Sequence, residues 1–437
     1  MSLRREYAPL VLTLFCIGFV PWCPAHAQNV TFSFNKLFAE GDTVPQTADV
    51  FTGFQAPSLD ANQGVGFYGS TTTLNGAAFY RQPFSFAVVA SQNDTIPPGG
   101  FGTFPPLTGV GPGLSVDGTD VVFWGSGVNN HQGIYTNAGG PLSRIVDKTT
   151  LAPNMNTQFG IIPTSTTAGQ ADGGAVAFRA TPVGGSQALY STVGGLHTIA
   201  DNATPIPGGG AQFTTFIHAP ALSNGVAAFI GNDTNLGRGI YRESSSVLTK
   251  IVDTNDLVPG GGGAKFENIT YVAFDDGHVA FLNVNFGFPT TEDGVYTNLG
   301  GPLRAVADLS TPVPGGGSWE QFWSRHVSIH GSNILFMAST NSGDALFLEC
   351  GQMNNELVRV IGEGDVLDGK VIDEISMTRE ALFEDRIGFW VDFTDNTEAL
   401  YLATKHIIPE PTSLVLCMLG AVSGGGMFFR RQGARDC

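Results

Sequence analysis

Cysteine is scarce in this chain, and so is positive charge. Its 437 residues hold five cysteines: Cys16, Cys23, Cys350, Cys417 and Cys437. Four lie near the ends, so Cys350 stands alone in the body and no internal disulfide is available there. The expected role of such a lone thiol is that of a small buried hydrophobe. Charged residues make up 14% of the chain, and 21 basic residues face 38 acidic ones, a net charge of −17. No basic run occurs before the extreme C-terminus. A surface of this sign repels phosphate backbones, which argues against nucleic acid as a partner. The acidity suits solubility or cationic partners.

Helical periodicity is also missing. Apolar residues come instead in short runs bounded by Gly, Asn and Pro, the pattern of strands and turns. Familiar catalytic signatures are absent: no glycine loop ends in the Lys-Ser/Thr of a P-loop, and neither HExxH nor Gly-x-Ser-x-Gly occurs. What the chain does have is 58 Gly, 25 Pro, 32 Phe and 42% hydrophobic residues. A chain so composed can bury a large core, which argues against disorder.

An internal repeat organises the body. A Pro-containing loop, usually followed by glycines, recurs at Pro45, Pro97, Pro153, Pro207, Pro259 and Pro314, and Asp368 takes the proline's place in a seventh copy. Successive spacings are 52, 56, 54, 52, 55 and 54 residues. Three residues before each marker stands Asp42, Asp94, Thr150, Thr204, Asp256, Thr311 or Asp365. Such side chains cap turns by bonding to backbone. Each unit holds four strand-like runs, the last built around an aromatic, as in GIYT (133–136), GIYR (239–242) and GVYT (294–297). Four strands per unit, repeated seven times, predict an all-β fold, a seven-bladed β-propeller over residues 28–408 with about 54 residues per blade. One unit cannot bury both faces of its sheet, so neighbours must stack. A lone strand at 30–40 precedes the first loop, and EALYLAT (398–404) ends the last unit. The N-terminal strand is therefore expected to close the last blade.

The two ends read as addresses. Arg4 and Arg5, an apolar stretch and Ala25-His26-Ala27 make a signal peptide over 1–27, with cleavage after Ala27 leaving Gln28 first. At the other end, residues 409–437, Pro409-Glu410-Pro411 precedes an apolar stretch, Thr412 to Phe429, closed by Arg430 and Arg431. Eighteen mostly apolar residues are near the length that spans a bilayer, so one C-terminal transmembrane helix is expected, with the body outside. This order of features resembles the PEP-CTERM sorting signal of Gram-negative bacteria. The resemblance implies processing by signal peptidase and exosortase, and delivery through the membrane to the cell envelope or surface. The Gly424-Gly425-Gly426 run and the extension to Cys437 depart from that pattern. Three units carry Gly-x-x-Ala-Phe, from Gly174, Gly225 and Gly277. This resembles exported bacterial tandem-repeat proteins with an Asn-x-x-Gly-x-x-Ala-Phe core, although the leading Asn is missing here. That resemblance implies architecture and no activity.

Candidate chemistry is sparse. His326 and His330 would share one face of a strand and could hold a metal, without other ligands nearby. Acidic pairs at Asp117 and Asp120, Asp275 and Asp276, and Glu363 and Asp365 leave room for a structural calcium. Trp124, Trp319, Trp323 and Trp390 could stack on sugars, but they fall in strand runs where core packing is the ordinary role. No catalytic residue and no cofactor is assigned. The expectation is a non-enzymatic surface propeller that binds or organises exopolysaccharide or an envelope protein. The alternatives are an extracellular polysaccharide hydrolase or lyase with its site on the axis, and a purely structural coat.

Overall fold

The computed structural model describes residues 28–409, apart from 106, 108–113, 164–169, 210, 236, 286–289, 323–326 and 352–354. One compact unit runs from Phe32 to His406. The two chain ends form a second unit, of which only residues 28–31 and 407–409 are described.

Seven antiparallel sheets follow one another along the described chain. Blades 1 to 6 cover residues 51–91, 115–147, 159–200, 213–253, 269–308 and 319–362. Blade 7 covers 366–409 and takes Gln28–Ala39 as its outer strand, beside Glu398–Pro409. The short strands nearest the axis touch in the order 1, 2, 3, 4, 5, 6, 7 and back to 1, so the ring is closed. The expected seven-bladed propeller and its N-terminal clasp are therefore observed.

The repeat motifs now have physical meanings. In every blade a Phe on the second strand faces an aromatic on the third. The pairs are Phe67–Phe79, Phe123–Tyr135, Phe178–Tyr190, Phe229–Tyr241, Phe281–Tyr296, Phe336–Phe347 and Phe389–Tyr401, with centroids 5.2–6.0 Å apart. In blades 1 to 6 another aromatic meets the second ring edge-on at 4.7–5.4 Å. Each such pair adds about 0.5–1.5 kcal/mol beyond the area it buries. In Gly-x-x-Ala-Phe, Gly174, Gly225 and Gly277 turn the chain at φ +75°, +71° and +85°. The alanine and phenylalanine that follow are almost wholly buried.

The Asp or Thr before each marker does cap its turn. The side chains of Asp42, Asp94, Thr150, Thr204, Asp256, Thr311 and Asp365 each accept the backbone N–H three residues earlier, at 2.7–3.0 Å.

Two expectations need correction. No helix among the described residues is long and apolar enough to cross a membrane. The described chain instead ends in a strand, Glu398–Pro409, and Thr412–Phe429 lies outside the described residues. The described residues thus form an all-β propeller, and the transmembrane helix first assigned is not found among them. An apolar window of spanning length is a statement about hydropathy, and hydropathy alone does not make a helix. Ala25, Ala27, Glu410, Pro411, Arg430 and Arg431 also lie outside the described residues, while Gln28 opens the first strand and Pro409 closes the last. The second correction concerns the inner strand, which was expected to be one run per unit. In blades 1, 3, 4, 6 and 7 it is broken in two, as in Phe213–Phe216 and Ala221–Ser223. Pro57 and Pro220 sit in two of the breaks and lack the N–H that a ladder needs. The breaks release backbone carbonyls toward the axis, which shapes the site described next.

Candidate functional site

One position recurs at the turn between the inner and second strands, and it lines one mouth of the axial channel. It holds Asp60, Asp117, Asp172, Ser223, Asp275, His330 and Phe383 in blades 1 to 7. In blades 2 to 5 these side chains bond to the next blade. Asp117 Oδ2 accepts Gly174 N–H at 2.9 Å, and Asp172 Oδ2 accepts Gly225 N–H at 3.0 Å. Ser223 Oγ accepts Asp276 N–H at 3.2 Å, and Asp275 Oδ2 accepts Gly331 N–H at 2.7 Å. Asp60 turns inward instead, accepting the N–H groups of Asn62 and Gly64 and the hydroxyl of Tyr80. Two residues earlier, a deeper set repeats the arrangement. Ser115 Oγ accepts Ala171 N–H, Gln170 Oε1 accepts Leu222 N–H, and Ser328 Oγ accepts Leu382 N–H, at 2.8–3.2 Å.

Below this rim lies a cavity of about 330 Å³, and the Thr378-Arg379-Glu380 segment of blade 7 reaches across it. Arg379 spans the axis to the opposite blade, donating to Ala219 O at 3.1 Å and Pro220 O at 3.3 Å, two carbonyls freed by a broken inner strand. Glu380 reaches blade 2, where Oε1 accepts the Ser115 hydroxyl at 2.7 Å and Oε2 accepts Val116 N–H at 3.2 Å. Thr378 Oγ1 donates to Pro57 O of blade 1 at 2.8 Å. Three consecutive residues therefore hold blades 1, 2 and 4 to blade 7.

Burial pushes the Glu380 carboxyl up to about 7, and the Ser115 bond and the neighbouring Arg379 only partly offset it. Burial also lowers Arg379, to about 10. His218, stacked on Tyr271 at 4.8 Å, is lowered to about 4 by burial and by the positive charges of Arg379, Arg179 and Arg238. It is therefore neutral at pH 7. The site can present hydrogen-bond acceptors to a small polar ligand and can hold a proton on Glu380 near neutrality. The rim carboxylates Asp117, Asp172 and Asp275 are committed to blade-to-blade bonds, and Asp60 to bonds within its own blade.

The other candidates disperse. His330 lies on the rim with its ring 4.0 Å from Phe383, and its Nδ1 is 3.8 Å from Asp275; His326 and Trp323 fall outside the described residues. Trp124 donates to Ile162 O of the next blade, Trp319 to Thr311 O, and Trp390 to Glu398 Oε2, so these three pack within or between blades. Glu363 accepts Asp344 N–H, and Asp365 caps its turn and pairs with Arg359. Asp120 pairs with Asp117 across the turn. Among the described residues no group of three or more His, Cys, Asp or Glu could hold a metal. Cys350 is buried. Arg379 and Glu380 were not singled out from sequence. Superposing the repeats would have exposed them: a charged pair stands where blade 4 has Ala219-Pro220.

Closed ring, seven four-stranded repeats and an axial mouth ringed by acids define a seven-bladed β-propeller with a polar, bridged channel. The chain belongs to a family of unknown function (DUF7453), whose profile matches residues 27–268 and again, overlapping, 171–371. No curated protein matches it. Among solved structures it is similar to the β-propeller domain of the Trilobed protease from Pyrococcus furiosus, at 9% identity over 82% of this chain and 98% of that one, TM-score 0.45. A puromycin-hydrolyzing peptidase of Mycobacterium tuberculosis matches at 10% identity over 78% of this chain, TM-score 0.42, and this chain spans 49% of that protein. The SapL1 lectin, in complex with alpha methyl fucoside, matches at 10% identity over 71% of this chain and 96% of that one, TM-score 0.34. Likenesses this distant say nothing about what the chain binds.

Proposed function

We propose that the chain is an exported, non-catalytic propeller of the cell envelope or surface that binds or organises exopolysaccharide or an envelope protein. The observation that carries the non-catalytic part is the commitment of the axial acids. Asp117, Asp172 and Asp275 each accept a backbone N–H of the following blade. A carboxylate held this way cannot swing to shuttle a proton without loosening the ring. Export rests on the signal-peptide pattern and on the Pro-Glu-Pro order near the C-terminus. Glycan arrays and pull-downs with the secreted mature protein test the binding. Retention of one envelope polymer or protein is expected, and clean negatives across both classes would sink the reading. A mature N-terminus other than Gln28 would remove the export argument.

A polysaccharide hydrolase or lyase acting at the axial mouth is the second reading. One observation favours it: Glu380, near pH 7 in its titration, has the protonation balance of a general acid–base group. Turnover of an envelope polysaccharide that Glu380→Gln abolishes, with the fold intact, would establish this reading over the first.

A further inference from the structure

Lys405 is the one buried lysine among the described residues. Lysine is almost never fully buried unless something holds it. Its side chain is 1% exposed and lies in Glu398–Pro409, the third strand of blade 7. The amine meets two groups. Asp385 Oδ1 is 2.8 Å from Nζ, and Asn333 Oδ1, itself in a buried residue, is 3.2 Å away. Asn333 opens the second strand of blade 6, and its Nδ2 donates to Glu384 O at 3.2 Å. That bond turns the carboxamide so that its oxygen faces the amine. Asp385 has a half-exposed side chain and so connects the pair to water.

We propose that Lys405 and Asn333 become joined by an intramolecular isopeptide bond. Asp385 takes a proton from the Lys405 ammonium. The freed amine lone pair adds to Cγ of Asn333, one bond beyond the oxygen it already touches. The adduct collapses with cleavage of Cγ–Nδ2; the departing nitrogen takes the proton held by Asp385 and the surplus proton of the attacking nitrogen, and leaves as an ammonium ion. An ammonium and a primary amide thus become a secondary amide and an ammonium ion. Nothing is oxidised or reduced, and no co-reactant is needed.

Amide aminolysis is very slow between free molecules. Two groups fixed in contact can react as though at about 10⁵–10⁸ M. Loss of ammonia to solvent then makes the step irreversible. The place also fits a covalent staple. The bond would tie blade 6 to the blade that the N-terminal strand completes, closing a loop 72 residues apart in sequence. A body whose single cysteine is buried and free has no disulfide to do this. The arrangement is not a repeat feature: Asp120, Ala175, Val226, His278 and Arg386 stand where blade 6 has Asn333. It does not depend on what the propeller binds.

Peptide mapping of the folded, full-length protein by tandem mass spectrometry decides the matter. The expected product is a branched peptide joining the Asn333 and Lys405 strands, lighter by one ammonia than the two linear peptides together. Lys405→Arg and Asn333→Ala should each abolish it, and Asp385→Ala should slow its formation by tenfold or more. Recovery of only the two linear peptides from folded wild-type protein would overturn the proposal, whether or not any variant folds. Unchanged linkage in Asp385→Ala would overturn the role given to that carboxylate.

Discussion

Gly239 has no freedom to be anything else, and the reason is the tyrosine two positions on. A Cβ there would lie 2.7 Å from Tyr241 Oη and 2.9 Å from Asp253 Cβ. Gly133 is crowded by Tyr135 in the same way. The Gly-Ile-Tyr pattern is therefore a packing motif, in which the ring folds back over its own strand. Gly239→Ala should cost about 1–3 kcal/mol through overpacking, read as a lower urea midpoint. Gly209→Ala, where the nearest atom would be 3.8 Å away, should be neutral or slightly stabilising. Glu380 makes a different residue-scale prediction. Its carboxyl rises from an ordinary 4.5 to about 7 in the folded chain, chiefly through burial. Between those values the folded state binds more protons than the unfolded state, so stability falls as pH rises through that window. Glu380→Gln cannot ionise. The variant's urea midpoint should therefore gain on wild type from about pH 4.5 to about pH 7 and hold a constant offset beyond. A gap that stays flat across that range would show that Glu380 does not titrate there.

At the scale of one turn, the choice between Asp and Thr follows from its neighbour. Thr150, Thr204 and Thr311 each cap a turn that begins with an aspartate, and each hydroxyl also donates to that aspartate. Where the turn begins with Ala39, Ser91 or Gly362, the cap is Asp42, Asp94 or Asp365. Only one turn has an acid at both positions, Asp253 and Asp256, and there Lys250 bridges the pair at 3.2 and 3.1 Å. A hydroxyl can accept from the backbone while donating to a carboxylate; a second carboxylate cannot. Thr204→Ala should cost about 0.5–1.5 kcal/mol. Thr204→Asp should restore the backbone bond yet set two acids face to face, and so fail to recover wild-type stability at pH 7 in low salt. Thermal melts of the two variants at low and high ionic strength check this. Recovery of the Asp variant by added salt is expected, because screening relieves only the repulsion. The cap itself was legible in the sequence, since a polar residue at fixed distance from a turn marker has few other uses. The partner that selects Asp or Thr was legible only once the register put it three residues away.

At the scale of the whole ring, equal spacing made the blade count and its closure readable, because neighbouring sheets must cover each other's faces. The axis was not readable. Seven inner strands converge there, and five of them are broken in two, so the residues that matter do not follow the repeat. Arg379 and Glu380 belong to one blade only, and their partners Ala219 and Ser115 are remote in sequence. Closure then rests on two unlike devices, the axial bridge and the outer clasp. The clasp strand Gln28–Ala39 brings Leu37 and Phe38 into the cluster that also holds Phe51, Phe67 and Leu400, so it joins blade 7 to blade 1 through apolar contact as well as pairing. A chain beginning at Glu40 would expose that cluster and leave the third strand of blade 7 as a free edge, a state prone to association. Its thermal midpoint should fall, and it should elute as larger species. A synthetic peptide of residues 28–39 should reverse both effects by filling the vacant edge. Full stability without the strand would mean that the bridge from Thr378 to Glu380 closes the ring unaided, and that the clasp only covers it.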